Sequence, residues 1–277
     1  MRDPTVGRKV IRPAAVAGMF YPGRPELLAR AVQQYIDEAR PIDLPAPPRA
    51  VIAPHAGYRY SGPIAGFAYR ALMSLPRGAY TALLMGPAHY VPFHGVAVGS
   101  FDAMETPLGT VAVDIDRAHW FIRQGRPFLE LNEAHGPEHS LEVQLPFLYH
   151  VFGPELRVVP LLFGNVSPDD VVSALESAVR SDEQCLIVVS SDLSHYHPYE
   201  TARRIDLATV HAITEGDIPS AREGEACGLI PILALMRLAQ RLGWAAHLLD
   251  YRNSGDTSGD RSRVVGYAAI AFVPRDG

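Results

Sequence analysis

Short apolar runs and amphipathic stretches alternate along most of the chain. Residues 27–39 predict an amphipathic helix, because Leu28, Val32 and Ile36 recur on one helical face. Residues 60–72 and 229–242 also have the pattern of helices. The predicted strands are the continuous apolar runs at 50–53, 82–85, 158–163 and 186–189, a shorter pair at 96–101 and 110–113, and two late segments at 246–251 and 264–272.

This alternation indicates the fold class. Continuously apolar strands are typical of a sheet that is covered on both faces, and the intervening helices supply the cover. The two late strands and the 96–101 and 110–113 pair are expected to make part of the sheet antiparallel. We therefore predict an α/β fold with a mostly buried, mixed central sheet flanked by helices. No shift in composition divides the sequence, so residues 1–277 are predicted to form a single domain.

Composition narrows the possible partners and locations. The chain is 48% hydrophobic and 20% charged, as in ordinary globular proteins. Its net charge of −5 and the lack of a Lys/Arg run argue against nucleic-acid binding. No apolar stretch reaches the roughly 18 residues that a membrane span needs. The apolar run at 14–17 is too short for a convincing signal peptide, so we expect a cytoplasmic protein.

The chain contains two cysteines, fewer than a secreted disulfide scaffold would normally carry. Cys185 lies inside an apolar run and is predicted to be a small buried hydrophobe. Cys227 and Gly228 directly precede the helix at 229–242. The positive end of that helix is expected to lower the pKa of the thiol and favour the thiolate, which binds metals. A purely structural role for Cys227 is the alternative.

Three apolar runs end in polar side chains that are able to bind a metal. His55 follows the run at 50–53, His89 follows the run at 82–85, and Asp192 and His195 follow the run at 186–189. Ligands of open α/β sheets bind beyond the carboxyl ends of the strands, so these side chains are predicted to converge. A single histidine after a strand is more often a surface or hydrogen-bonded residue. With Cys227, two imidazoles would supply three ligands and leave a coordination position open, as in catalytic zinc sites and some iron sites.

A second motif competes with this interpretation. Residues 135–139, HGPEH, match the H-x-x-E-H signature of one class of zinc peptidases. That chemistry needs both histidines on one helical face, and Gly136 followed by Pro137 argues against a helix there. We instead predict that a helix begins near Glu138. His139 and Glu142, spaced i and i+3, would then reach the cleft and orient a ligand histidine.

The polar segment at 253–260 has the composition of a loop between two strands. It is interpreted as a long turn, with a lid over the cleft as the alternative. The sequence contains no G-x-G-x-x-G, no phosphate loop and no G-x-S-x-G elbow. Nucleotide binding and serine hydrolysis therefore lack support.

Eight sequence segments together resemble the Memo-like family, whose bacterial and archaeal members are often called AmmeMemoRadiSam system protein B. They occur in the family's order and span nearly the whole chain: PAAVAGMFYP at 13–22, PHAGYRYSG at 54–62, GPAH at 86–89, ETPLG at 105–109, EHSLEVQLPF at 138–147, SSDLSHY at 190–196, ACG at 226–228 and VGYA at 265–268.

The resemblance implies a fold similar to the catalytic subunit of class III extradiol dioxygenases, which use non-haem iron. It implies that His55, His89 and Cys227 are metal ligands and that His195 is the acid/base. In the dioxygenases a glutamate stands where this family has the cysteine. A thiolate is softer than a carboxylate, so zinc and copper are alternatives to iron. The resemblance also implies a pathway link to a radical-SAM protein.

Two hypotheses about function follow. The first is an iron-dependent, dioxygenase-like oxidoreductase acting on a small molecule, in which Asp192 orients His195 as the proton shuttle. The second is a peptide- or protein-binding module with a vestigial metal site, its cleft rimmed by Tyr58, Tyr60 and Tyr196. Tyr58 would also lie close behind the metal ligands.

Overall fold

The computed structural model describes residues 9–275 of the chain. Its strands are β1 Ile11–Arg12, β2 Ala50–Ala53, β3 Thr81–Pro87, β4 Val96–Val98, β5 Ala103–Thr106, β6 Gly109–Val113, β7 Phe128–Glu130, β8 Arg157–Phe163, β9 Cys185–Ser190, β10 His195–His197, β11 Trp244–Asn253 and β12 Val264–Pro274. Its helices are α1 Pro25–Glu38, α2 Tyr58–Leu72, α3 Ile115–Arg123, α4 Asn132–His135, α5 Leu145–Phe152, α6 Pro168–Arg180, α7 Tyr199–Glu215, α8 Ile218–Arg222, α9 Leu229–Leu242 and α10 Ser254–Ser258, with short 3₁₀ turns at Glu142–Gln144 and Gly153–Glu155.

These strands form one mixed sheet with a parallel centre. Strands β6, β8, β3, β9 and β2 lie side by side and are parallel. The long strand β12 pairs antiparallel with β2, β11 and β10. Strands β2, β3 and β9 are buried along their whole length, as continuously apolar runs require. The predicted α/β class, with a mixed central sheet flanked by helices, is confirmed.

Helices cover this sheet through their apolar stripes. In α1, Leu28, Val32 and Ile36 are buried, so the predicted amphipathic face is the one that packs. Helices α1, α2 and α5 pack together, α2 also contacts β11 and β12, and α6 packs on α9. None of the helices in residues 9–275 combines the length and the apolar character needed to cross a membrane.

The two short strands predicted at 96–101 and 110–113 each form an antiparallel pair, but not with each other. The segment between them contains a further strand, β5, which forms an antiparallel hairpin with β6. Thr106 closes the turn, since its Oγ1 accepts a hydrogen bond from the Leu108 amide at 3.1 Å. Strand β4 instead pairs antiparallel with β8 and parallel with β7. A tight local turn therefore decides the partner of β6, and Pro107-Leu108 was its signal in the sequence.

The segment at 253–260 is also not the predicted turn. It contains the short helix α10, whose start is a capping box. The Asn253 side chain accepts a hydrogen bond from the Gly255 amide at 2.9 Å, and Asp256 accepts one from the Asn253 amide at 2.9 Å. These reciprocal bonds satisfy backbone donors at the helix start, so a segment of turn-forming residues becomes helical.

We expect Gly66→Ala to destabilise the fold by about 1–3 kcal/mol, because the close packing of α1 on α2 leaves no room for a Cβ. A Cβ at this position would collide with the backbone carbonyl of Tyr35, although alanine has the higher helix propensity. Urea denaturation of the variant and the wild type measures the difference, and a variant as stable as the wild type would contradict this packing.

Candidate metal centre

The ends of three parallel strands lie together at one edge of the sheet. His55 comes two residues after β2, His89 two residues after β3, and Asp192 two residues after β9. Both β2 and β3 pair parallel with β9, which aligns their carboxyl ends. Cys227 reaches the same edge because it stands directly before Gly228, the N-cap of α9.

Three donor side chains converge at this edge. One ligand atom from each of His55, His89 and Cys227 lies within 4.8 Å of the other two. His55 Nε2 is 3.3 Å from Cys227 Sγ, and the two imidazole centroids are 5.3 Å apart. His55 is buried, whereas the His89 side chain is 28% exposed. The donors therefore form a cluster that is buried on one side and open on the other.

The tautomer of His55 follows from its hydrogen bond to Ser190. Ser190 Oγ lies 2.9 Å from His55 Nδ1, 2.6 Å from the Ser140 carbonyl and 2.7 Å from Gln144 Nε2. The carbonyl can only accept and the amide nitrogen can only donate, so the single hydroxyl proton goes to Ser140. His55 Nδ1 must then carry a proton, and Nε2 presents a lone pair toward Cys227.

The Gln144 side chain is held in turn by two further partners. Its Nε2 donates to the Pro54 carbonyl at 2.9 Å, and its Oε1 accepts from the Tyr69 hydroxyl at 2.6 Å. A flipped amide would face the Pro54 carbonyl with an acceptor, so the orientation is determined. A buried chain of hydrogen bonds from Tyr69 through Gln144 and Ser190 therefore sets the protonation of His55.

Glu138 determines which ring nitrogen of His89 carries the proton, as Ser190 does for His55. Its Oε1 accepts from His89 Nδ1 at 2.9 Å, and its Oε2 accepts from the His89 amide at 2.6 Å. The amides of His139 and Ser140 each donate to Oε1 at 2.9 Å. Burial opposes ionisation, but these bonds outweigh it and lower the pKa of Glu138 to about 2. The ionised carboxylate keeps a proton on His89 Nδ1, so Nε2 is the ring nitrogen that is free to bind a metal.

The pKa values of His55 and Cys227 are dominated by burial. Burial, and then the charge of His89, lower the pKa of His55 to about 3, so its imidazole is neutral at pH 7. The expected lowering of the Cys227 pKa is wrong for the metal-free protein. Burial, and then the charge of Asp192, raise the pKa of Cys227 to about 12. Desolvation of the thiolate thus exceeds the effect of the helix start.

Asp192 holds the backbone around two of the donors. Its Oδ1 accepts from the amides of His55 and Ala56 at 2.8 and 3.3 Å. Its own amide donates to Cys227 Sγ at 3.3 Å, and its carbonyl accepts from the Cys227 amide at 3.2 Å. These bonds differ from the predicted one: in the described structure Asp192 connects His55 with Cys227 rather than hydrogen-bonding the His195 ring.

His195 stands beside the cluster on an irregular strand. It begins β10 and is half-buried, and its charge would lower the pKa values of both His55 and Asp192, which places it near both. The pairing of β10 with β12 is irregular between His195 and His197. Tyr196, between them, has φ of 63° and is the only non-glycine residue in 9–275 with a positive φ. This backbone conformation turns the Tyr196 side chain outward, where it is exposed.

His139 lies closer to the ligands than expected. Its ring stacks on that of His89 at 4.7 Å and meets that of His55 edge-on at 5.4 Å. His139 Nδ1 is 3.4 Å from Glu138 Oε1 and 3.3 Å from the Tyr90 hydroxyl. It therefore forms a wall of the open side, and the residue that orients the His89 ring is Glu138.

Glu142 and Tyr58 do not have the predicted roles. Glu142 accepts hydrogen bonds from the amides of Ala15 and Val16 and from the Tyr21 hydroxyl, and it is ion-paired with Arg12. It therefore anchors the N-terminal segment. The buried Tyr58 donates to the Val143 carbonyl at 2.7 Å, so it lies in the interior and not on the rim.

The HGPEH segment does not have the peptidase geometry. Helix α4 ends at His135, and residues 136–141 are not helical, so the predicted helix start at Glu138 is also wrong. His135 is buried, and its Nε2 contacts the Ala97 carbonyl at 3.2 Å. Because Glu138 uses its carboxylate on the amides of His139 and Ser140, this stretch forms a loop, and helical structure resumes only at Glu142–Gln144.

Sequence reasoning missed three residues that orient the donor side chains: Glu138, Ser190 and Gln144. For Gln144 and Glu138 the sequence contained a signal, because each is a polar residue close to apolar ones. Burying such a side chain is costly unless it has hydrogen-bond partners, so partners could have been expected. Ser190 had none, because serine at a strand end is common.

The residues present fit a bound metal ion. Two imidazoles whose Nδ1 atoms are held by Ser190 and Glu138 leave their Nε2 atoms free to bind a metal, and a thiol adds a sulfur donor. Nitrogen and sulfur donors of this kind suit zinc, iron and copper.

Comparisons with known proteins agree with the family resemblance. The Memo-like protein family model matches residues 12–271. A MEMO1 family protein of Desulfurococcus amylolyticus is 34% identical over 94% of this chain and 98% of its own length. One from Methanosarcina acetivorans is 37% identical, again over 94% and 98%. A third, MTH_45 of Methanothermobacter thermautotrophicus, is 37% identical over 95% of this chain and all of its own.

A solved structure shows the same fold at low sequence identity. The uncharacterized protein JW3007 from Escherichia coli K12 matches with a TM-score of 0.53 and 14% identity, covering 80% of this chain and 98% of its own. Taken with the family model and the relatives over nearly the full length, the chain belongs to the Memo-like protein family.

Proposed function

We propose that this protein is a metal-dependent, dioxygenase-like oxidoreductase that holds non-haem iron at His55, His89 and Cys227 and acts on a small molecule. The observation that carries the proposal is the convergence of these donors within 4.8 Å, with hydrogen bonds that leave both Nε2 atoms free. Zinc and copper are the alternative metals, because a sulfur donor suits them as well.

The surrounding residues would serve this chemistry in distinct ways. Bound iron would supply one-electron and oxygen chemistry. His195 is the half-buried imidazole next to the open side, so it is the group suited to take or give a substrate proton. Asp192, Glu138 and Ser190 fix the donors through hydrogen bonds to His55 and His89.

A binding module for a peptide or protein is the second candidate. The exposed aromatic rings of Tyr196 and Tyr60, 61% and 38% exposed, favour it. In such a module the three donor side chains would have only a structural role, and the protein would catalyse no reaction.

We expect the double variant His89→Ala, Cys227→Ser to lose at least about nine-tenths of its bound metal, because two of three donors are gone. The matched controls are Cys185→Ala, the other thiol, which is buried away from the cluster, and His119→Ala, an exposed histidine on α3. Anaerobic purification followed by mass-spectrometric metal analysis measures the content. A double variant with wild-type metal content would rule out this centre.

We expect Ser190→Ala to weaken metal affinity about 10–100-fold, as loss of partners that orient metal-bound histidines does elsewhere. Without the hydroxyl, the His55 Nδ1 proton loses its acceptor and Gln144 loses one of its partners. Tyr69→Phe removes the hydrogen bond from Tyr69 to Gln144, which reaches His55 only through Gln144 and Ser190, so it should have a smaller effect. Competition with a chelator of known affinity measures both; equal affinities in Ser190→Ala and wild type would refute the relay.

We expect His195→Ala to abolish oxygen consumption with a panel of catechols while the metal content is retained. His197→Ala is the matched control, since its Nε2 is held by Glu225 at 2.6 Å, outside the donor cluster. An oxygen electrode gives the rates. Wild-type protein that binds iron but consumes no oxygen with any catechol would favour the binding module.

A further inference from the structure

Arginine and tyrosine side chains are paired beside the open side of the metal centre. The Arg263 guanidinium lies over the Tyr196 ring, 5.2 Å from its centroid. The Arg59 guanidinium lies 5.8 Å from the centroid of the Tyr60 ring. All four residues are exposed. Cation–π contacts hold a guanidinium by its face and leave its N–H edge available to a ligand.

Three observations place these pairs next to the donors. Arg59 and Tyr60 lie in the first turn of α2, only four and five residues after His55. Tyr196 directly follows His195, and Arg263 immediately precedes β12, whose Val265 pairs with His195. Burial raises the pKa of Tyr267, and the charges of Asp192, Tyr60 and Tyr196 raise it further. Tyr60, Tyr196 and Asp192 therefore all lie near Tyr267, and Asp192 accepts a hydrogen bond from the His55 amide.

The strained backbone of Tyr196 favours a role for its exposed ring in binding a ligand. A tyrosine with φ of 63° is strained, because its Cβ crowds the backbone in the left-handed region. No hydrogen bond of its hydroxyl group appears in the described structure. Strain of this kind persists where the surrounding structure enforces it and is concentrated at ligand sites. Here it carries the ring out of β10 and under Arg263.

Within residues 9–275, neither Arg59 nor Arg263 forms a salt bridge. Asp256, which accepts from the Tyr199 hydroxyl, and Glu225, which pairs with His197, already have other partners. In a chain of net charge −5, two unpaired arginines beside one cleft are a local cationic feature.

We propose that Arg263 and Arg59, supported by Tyr196 and Tyr60, form a subsite for an oxyanion on the substrate, a carboxylate or a phosphate. Guanidinium forks match the geometry of both groups. The oxyanion would be bound at the rim while the rest of the molecule faces the donors. This inference rests on the proposed function only in taking the metal centre as the place of reaction.

The test compares three probes of similar size: benzoate, phenyl phosphate and neutral benzyl alcohol. Dissociation constants are measured by calorimetry on metal-loaded wild-type protein and on Arg263→Gln, Arg59→Gln double-variant protein. We expect at least one anion to bind about tenfold or more tightly than benzyl alcohol, and the preference to disappear in the double variant. The tighter anion identifies the group. Arg30→Gln, an exposed arginine on α1, is the control and should keep the preference.

The same titrations on metal-free protein separate this inference from the proposed function. A preference that persists without metal and disappears with the arginines supports the subsite, even if the protein binds no iron. A preference that needs the metal and survives in the double variant would mean that the anion binds the ion, and it would overturn the subsite. Equal binding of all three probes to the wild type would overturn it too.

A variant at Tyr196 tests whether the strained ring belongs to the subsite. Asparagine tolerates the left-handed backbone, so Tyr196→Asn should melt no lower than wild type. We expect it nevertheless to bind the tighter anionic probe several-fold more weakly, with Tyr196→Phe retaining most of the affinity. Unchanged affinity in Tyr196→Asn would remove the ring from the subsite.

Discussion

Parallel pairing of β2 and β3 on either side of β9 is the constraint on which the whole candidate metal centre depends. The register places Ala53 opposite Ser190 and Met85 opposite Val189, so all three strands end at one edge. A slip of one residue would turn every side chain of a fully buried strand to the other face of the sheet, so the register is strongly specified. The closeness of Ser190 to His55, two residues past Ala53, follows directly from it.

Buried polar residues then convert this placement into defined donor atoms. Glu138, Gln144 and Ser190 are all buried, and each has partners for its polar atoms. Burial without partners would be costly, whereas a fully bonded network is rigid. Because the network reaches the back of both imidazoles, the direction of each free Nε2 atom is determined by the core of the protein and not by the ligand.

Much of this could be predicted from the sequence, and the rest could not for identifiable reasons. His55 and His89 were found because the same pattern, an apolar run ending in a histidine, occurs twice. The Cys227 pKa was predicted in the wrong direction, because sequence shows the helix start but not how deeply the thiol is buried. Ser190 acquires its role from contacts with Ser140 and Gln144, which are 50 and 46 residues away in the sequence, and no local pattern encodes such contacts.

The donors and the rim residues Tyr196 and Arg263 lie on different elements, so the proposed metal binding and the proposed anion recognition can be varied separately. The donors follow β2 and β3 and precede α9, each tied to the buried network or to Asp192. The exposed rim residues are Tyr196, in the middle of β10, and Arg263, directly before β12. Changes at the rim would therefore leave the donor geometry intact. An oxidoreductase and a binding module built on this fold would share the same donors and differ in what the rim admits.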